Sequence, residues 1–236
     1  MTQKHIFRFT LFMLLSCLLI LMWLIPVTGE YFNKFDRAVY YFLNGTLKDK
    51  NNWQMLWAVT NAHIFDLAEG VFVLVMLLFH MYTKSNLNNN VKPLGRFILF
   101  IVFIVISIIV NKIVVLFSLE FIDYHRQSPS LVLDGGIRLS EIITSFEFKD
   151  ASKDCFPGDH AAILLCSTFY FFIYGNKKVG FVSCFVLLPL ILPRLVVGAH
   201  WFTDCLIGST FILINTFNIW INIPMIKDKI QKKLKP

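Results

Sequence analysis

Three short clusters concentrate the side chains able to do nucleophilic or acid–base chemistry. Arg194 follows Pro193 at the end of an apolar run, His200 comes six residues later, and Asp204 four residues after that. A spacing of four predicts that His200 and Asp204 lie one turn apart on a helix face. There a carboxylate can hold one imidazole N–H and leave the other ring nitrogen free as a nucleophile or base. The second cluster is Cys155-Phe156-Pro157-Gly158-Asp159-His160. Pro beside Gly just ahead of an apolar run predicts a helix N-terminus, where unpaired backbone N–H groups around Gly158 attract an anion. His160 would stand beside that anion, able to give or take a proton, and Asp159 would either cap the helix or face the same ligand. The third cluster, His125-Arg126-Gln127-Ser128-Pro129, offers the Arg126 guanidinium as a planar fork of donors suited to phosphate oxygens. Lys112 is a further candidate cation, with snorkelling to the interface as its alternative role.

The elements that must position these clusters are membrane helices. Of 236 residues, 56% are hydrophobic and only 16% charged, against roughly 25% charged in an average soluble domain. Long stretches carry no charge at all. This excludes a disordered chain, a basic nucleic-acid-binding domain and most soluble enzymes. Five cysteines without a C-x-x-C pair make neither a disulfide framework nor a zinc site. A helix needs roughly 20 apolar residues to cross a bilayer, and six stretches come close: about 6–27, 67–82, 97–119, 159–174, 179–199 and 205–223. The first is read as a retained anchor and not as a cleaved signal peptide, because its apolar run is long for that role. The expected fold class is therefore all-α, a polytopic bundle of six transmembrane helices forming one domain over residues 1–236.

Charge sets the expected orientation. Lys4, Arg8, Lys84, Lys92, Arg96, Lys177, Lys178 and the tail lysines 227, 229, 232, 233 and 235 share one side with a single acid, Asp228. The positive-inside rule puts that side, with both termini, in the cytoplasm. Segments 28–66 and 120–158 and the reversal at 194–204 then face outward, so all three clusters meet at one membrane face. Ionisable residues at span edges are costly, roughly 2.5 to 3.5 kcal/mol each at mid-span, and call for a functional reason.

The clusters resemble the type 2 phosphatidic acid phosphatase superfamily, whose signature is K-x6-R-P, then P-S-G-H, then S-R-x5-H-x3-D. The third element is met as Arg194-x5-His200-x3-Asp204, with Pro193 in place of Ser. Pro157-Gly158-Asp159-His160 lacks the Ser and moves the Gly, and Lys112 lies too far ahead of Arg126 for the usual spacing. The runs from Asp150 to His160 and from Gly198 to Asp204 are similar to the lipid A phosphotransferase branch. So are Arg126-Gln127-Ser128-Pro129, Arg138-Leu139-Ser140-Glu141, Thr60-Asn61 and Phe65-Asp66.

That resemblance implies transfer of a phosphoryl group from undecaprenyl diphosphate to the 1-phosphate of lipid A, at the periplasmic face of a bacterial inner membrane. On this reading His200 becomes a phosphohistidine, oriented by Asp204, and His160 serves as acid and base. Arg126, Arg194, Lys112 and the backbone around Gly158 and Asp159 neutralise the phosphate. The cationic cage takes the place of a metal, and no cofactor and no nucleic-acid partner are expected. The alternative is a phosphatase of the same fold acting on undecaprenyl diphosphate, lipid A 1-phosphate or phosphatidylglycerol phosphate. A lipid transporter is a remote third reading, because the ionisable groups gather at one face and no internal repeat is visible.

Overall fold

Lys92 precedes Pro93, and from Phe97 to Asn111 no charged residue interrupts the chain; the result is a helix of 28 residues, the longest element of the described structure. In the computed structural model residues 3–83 and 91–222 are described. Lys84, the asparagines at 86 and 88–90, the lysine-rich tail and Ile223 lie outside them. The helices are α1 (Gln3–Leu24), α2 (Pro26–Asn44), α3 (Asn51–Val59), α4 (His63–Tyr82), α5 (Pro93–Glu120), α6 (Pro129–Val132) and α7 (Leu139–Ile142). Then come α8 (Asp159–Tyr174), α9 (Lys177–Leu187), α10 (Leu192–Val196) and α11 (Ser209–Asn222). A 3-10 turn, Leu188–Ile191, joins α9 to α10, and a π-helical turn, Asp204–Gly208, leads into α11.

Among the described residues, five segments are long and apolar enough to cross a membrane: Ile6–Trp23, His63–Tyr82, Pro93–Glu120, Lys177–Val196 and Asp204–Asn222. The remaining expected span is α8, an apolar helix of 16 residues. At 1.5 Å per residue it reaches about 24 Å, less than a typical hydrocarbon core of about 30 Å. Its position explains the shortness. It packs against α4, α5, α9 and α11 and is shielded by them, so it has little lipid-facing surface to match to the bilayer.

Lipid tails are as apolar as leucine, so helix association in a membrane depends on close packing and interhelical hydrogen bonds. Both are present. Phe100 stacks on Phe171 at 5.0 Å, Phe103 meets Tyr170 and Trp220, and the Trp220 Nε1–H donates to the Tyr174 hydroxyl at 2.8 Å. The Asn215 amide donates to Ser16 Oγ at 2.6 Å, tying α11 to α1.

The segment 28–66, expected only to lie outside the bilayer, is largely helical. In α2 the buried residues are Asp36, Tyr40 and Asn44, at helical spacing of four, while Tyr31, Phe35 and Phe42 are exposed. The polar stripe faces the protein and the aromatic stripe faces away, the reverse of a water-exposed helix. Asn44 accepts the Ile137 N–H at 2.7 Å and donates to the Val196 and Ile137 carbonyls, so α2 fastens the 121–158 loop to α10. Gly198 completes that junction. Its φ is +77°, and a Cβ there would come within 2.5 Å of the Tyr40 ring, so glycine is needed for both conformation and approach.

Candidate active site

The loop from Arg126 to Gly158 lies over one end of the bundle and is stitched to the chain segment that follows α10. The Ser130 N–H donates to the Gly198 carbonyl at 3.2 Å, the Cys155 N–H to the Arg126 carbonyl at 2.8 Å, and the Cys155 thiol to the Ala199 carbonyl at 3.1 Å. Gly158 packs on Cys205, where an added Cβ would meet Sγ at 3.3 Å. The start of α8 is thereby pressed against the start of the final span, and all three clusters come to the same end.

His200 is buried, 6% exposed, in a non-helical turn just before the final span. Its Nδ1 lies 3.1 Å from the Cys155 carbonyl oxygen. A carbonyl only accepts, so this bond places the proton on Nδ1 and leaves the Nε2 lone pair free. Burial pushes the His200 pKa down to about 4, which keeps the ring neutral near pH 7. The expected His200–Asp204 bond is not formed. The helix begins only after Trp201, so the two residues do not share a helix face. The Asp204 Oδ2 instead accepts the Trp201 N–H at 3.3 Å, as in half of a capping box, and Oδ1 accepts from Arg126 Nη1 at 2.5 Å.

Arg126 likewise has partners other than the expected phosphate. One nitrogen, Nη1, donates to Asp204 and to the Thr203 hydroxyl; the other, Nη2, donates to Asp36 Oδ2 at 2.6 Å and to Asn33 Oδ1 at 3.1 Å. The guanidinium carbon lies 4.7 Å from the Trp201 ring and 5.8 Å from that of Trp23. Burial opposes its charge, but the Asp204 and Asp36 carboxylates more than offset that and raise the Arg126 pKa. Asp36 also accepts the Thr203 N–H at 2.9 Å and the Thr203 hydroxyl. Arg126, Asp36 and Asp204 form a closed ionic joint that fixes the turn bearing His200.

The second half of the site comes from α4 and α10. Arg194, 3% exposed, donates to Asn61 Oδ1 at 3.0 Å and to Asp66. The Asn61 amide in turn donates to the Pro193 carbonyl at 3.1 Å. His160 Nδ1 lies 3.4 Å from Glu69 Oε2, and one side-chain atom from each of Asp66, Glu69 and His160 lies within 4.8 Å of the others. Asp66 and Glu69, a turn apart on α4, therefore position a guanidinium and an imidazole. Arg194 and Asp159 are near enough to His160 and to His200 to act on the charge of both rings. His160, Arg194 and His200 thus lie at the same end of the bundle, while Arg126 is bonded to Asp204 and Asp36.

Two of the backbone donors expected around Gly158 are engaged: the Gly158 N–H with the Asp204 carbonyl at 3.4 Å, and the His160 N–H with Asp159 Oδ1 at 2.9 Å. Lys112 sits on the exposed face of α5 and forms no ion pair among the described residues. Nearer to His200 lies Lys149, on the loop ahead of α8, with its side chain exposed. Its N–H donates to the Asn61 carbonyl at 3.1 Å, and its charge acts on His200, Asp159 and Cys155. Lys149 directly precedes the Asp150–His160 run, whereas Lys112 is a candidate only as the lysine upstream of Arg126 in its span, at a spacing that does not fit the motif. Among the described residues, two trios have metal-ligand atoms in reach, Cys155–His200–Asp204 and Asp66–Glu69–His160. In the first, Cys155 and Asp204 already have protein partners; in the second, Asp66 accepts from Arg194 and Glu69 lies against His160.

Residues 103–222 match the PAP2 superfamily, half of the chain, and the chain belongs to that superfamily. It is an enzyme of the lipid phosphotransferase and phosphatase kind. It is also 29% identical to Lipid A 1-diphosphate synthase of Escherichia coli (strain K12) over 228 residues, which cover 96% of this chain and 92% of that one. No solved structure matches the chain at a significant level.

Proposed function

We propose that this PAP2-superfamily protein is a lipid phosphotransferase that moves a phosphoryl group from undecaprenyl diphosphate to the 1-phosphate of lipid A through a phosphohistidine on His200. The observation that carries the reading is the buried, neutral His200, with Nδ1–H held by the Cys155 carbonyl and Nε2 free. In the first step Nε2 attacks the terminal phosphorus of the donor, the N–P bond forms, and the bridging P–O bond breaks to release undecaprenyl phosphate. In the second an oxygen of the acceptor's phosphate attacks that phosphorus, the N–P bond breaks, and His200 returns to its neutral form. Arg194 and Lys149 neutralise the charge on the equatorial oxygens, and His160, oriented by Glu69, supplies or removes the proton. Similarity to a lipid A 1-diphosphate synthase over nearly the whole chain supports the choice of acceptor. With six spans and both termini in the cytoplasm, the site faces the periplasm of a bacterial inner membrane.

The test is incubation of purified protein with undecaprenyl diphosphate labelled in its terminal phosphate, with and without lipid A. Label appearing on lipid A is the expected result. Label released only as inorganic phosphate in both mixtures overturns the transferase reading in favour of a phosphatase.

A further inference from the structure

A groove of about 720 Å³ runs between the loop segment 140–151 and His63 at the start of α4. Two of its residues tie it to the Arg194 half of the site. The Lys149 N–H donates to the Asn61 carbonyl at 3.1 Å, and Asn61 Oδ1 accepts from Arg194 at 3.0 Å. His63 Nδ1 lies 3.7 Å from Asp66 Oδ2, and Asp66 both holds Arg194 and stands within reach of His160. The charge of Lys149 extends to His200 and Asp159. The groove therefore borders the half of the site that carries His160 and Arg194.

Its lining restricts what it can hold. Thr144 and Ser145 bring hydroxyls, Glu147 a carboxylate, and Lys149 an ammonium that forms no ion pair among the described residues. Hydroxyls and a carboxylate match the hydroxyl and amide groups of a sugar, and the ammonium matches a phosphate. Phe146 and Phe148, with ring centroids 5.5 Å apart, add aromatic surface for the C–H face of a sugar ring. The volume falls within the range of small-ligand sites, about 300 to 1,000 Å³. Alongside lies a second groove that shares His63, Phe146 and Glu147 as walls and adds Val59, Ala62 and Ile64. Val59 and Ile64 are exposed, and His63 opens the membrane-length segment His63–Tyr82. The second groove thus lies at the edge of the apolar span, the depth of lipid headgroups. Together the two fit an occupant with an anionic, hydroxylated head joined to hydrocarbon.

We infer that the polar groove binds the phosphorylated sugar headgroup of the acceptor glycolipid, with the phosphate at Lys149 and the acyl chains leaving past Ile64. The inference rests on the proposed transfer to lipid A for its occupant, and on the groove for its location. Thr144→Trp and Ser145→Trp place a large ring at exposed groove positions; Val132→Trp, exposed on α6 and outside the groove, is the control. With undecaprenyl diphosphate as donor, both groove variants should raise KM for lipid A about tenfold at nearly unchanged kcat, the mark of lost acceptor binding. Phosphohistidine formation from the donor alone should stay within about twofold of wild type. Val132→Trp should alter neither. An unchanged KM in both groove variants, the same rise in Val132→Trp, or an equal loss in the donor-only step would overturn the assignment.

A second measurement needs no turnover. In Ser145→Cys, alkylation of residue 145 by N-ethylmaleimide is followed by mass spectrometry. Lipid A at about ten times its Kd should slow that alkylation about tenfold. Lipid A lacking its 1-phosphate, phosphatidylglycerol and soluble glucosamine 1-phosphate, each at the same concentration, should not. Protection by lipid A in a protein that transfers nothing to it supports the groove and overturns the proposed reaction. Transfer without protection overturns the groove and leaves the reaction standing. Equal protection by phosphatidylglycerol marks a site for any anionic lipid, and equal protection by glucosamine 1-phosphate a site for a free sugar phosphate; either overturns the inference.

Discussion

The His200 Nδ1 lies 3.1 Å from the carbonyl oxygen of Cys155, and Asp204, four residues along the chain, is bonded to Arg126 instead. A backbone carbonyl therefore fixes the tautomer that a carboxylate was expected to fix. The difference matters chemically. A carboxylate would stabilise the imidazolium and raise the ring's basicity, whereas a neutral carbonyl orients the ring and leaves it uncharged.

One consequence is a pH profile. Burial lowers the His200 pKa to about 4, so Nε2 keeps its lone pair well below neutrality. If His200 is the nucleophile proposed, it is lost only as pH falls through about 4, and phosphohistidine formation measured by rapid quench should keep its His200-dependent rate from pH 8 to about pH 5. Stability moves in the same direction. Below the ordinary imidazole value of about 6.5 the unfolded chain takes up a proton that the folded chain refuses, so stability falls as pH drops from about 6.5 to about 4. The loss is on the order of 3 kcal/mol. His200→Gln, which cannot titrate, should flatten that part of the unfolding profile in detergent. An unchanged slope in the variant would show that other groups carry it.

The ionic joint makes a prediction about stability. Arg126→Met leaves Asp36 and Asp204 buried with no cation between them, a cost of about 3 to 5 kcal/mol. Replacing all three, Arg126→Met with Asp36→Asn and Asp204→Asn, removes the charges together and should recover much of that loss in thermal unfolding. If the triple variant is less stable than Arg126→Met alone, the joint is not the source of the effect.

Much of this was legible before the structure, and the failures have identifiable causes. Long uncharged runs located five membrane-length helices and α8, because burial of apolar segments leaves a one-dimensional record. Spacing located His160, Arg194 and His200 at a common end. The pairing of His200 with Asp204 was misread because spacing of four implies a shared face only inside a helix, and His200 lies ahead of one, before a π-helical turn. The ion pair of Arg126 with Asp36, 90 residues apart, leaves no local signal at all. Helix α2 was missed because its buried stripe is polar and its exposed stripe aromatic, which defeats a reading based on apolar periodicity.

Lys149 and Lys112 can be told apart directly. Both side chains are exposed, but Lys149 stands near enough to His200 and Asp159 for its charge to reach them, whereas Lys112 lies on α5. Lys149→Ala should lower kcat/KM on the order of a hundredfold, the scale of removing one group that stabilises transition-state charge. Lys112→Ala should change it by less than about threefold, a difference of under 1 kcal/mol. The reverse ranking would restore Lys112 as the phosphate ligand and remove Lys149 from the site.

A chelator separates the cationic cage from a metal. Both trios with ligand geometry have internal partners, and Asp66 in particular is held by Arg194. Activity should survive dialysis against EDTA and show no stimulation by added zinc, magnesium or manganese. Loss on chelation with recovery on adding back one ion would assign that ion to one of the trios.

His160 offers the sharpest test of which reaction the site serves. Departure of a phosphate from a diphosphate needs little protonation, because a phosphomonoester's second pKa is about 6. Departure of an alcohol generates a far stronger base and depends on a positioned acid, worth about 10² to 10⁴ in rate. On the proposed mechanism that acid is His160, set 3.4 Å from Glu69 at the start of α8. His160→Ala should therefore cost about 10² to 10⁴ in the hydrolysis of a lipid phosphomonoester and about tenfold or less in transfer from undecaprenyl diphosphate. Glu69→Gln leaves the ring but weakens its orientation, and should show the same order of substrates with smaller losses. Equal losses on the two substrates would mean that His160 binds phosphate and does not protonate the leaving group, and the preference for a diphosphate donor would lose its chemical basis.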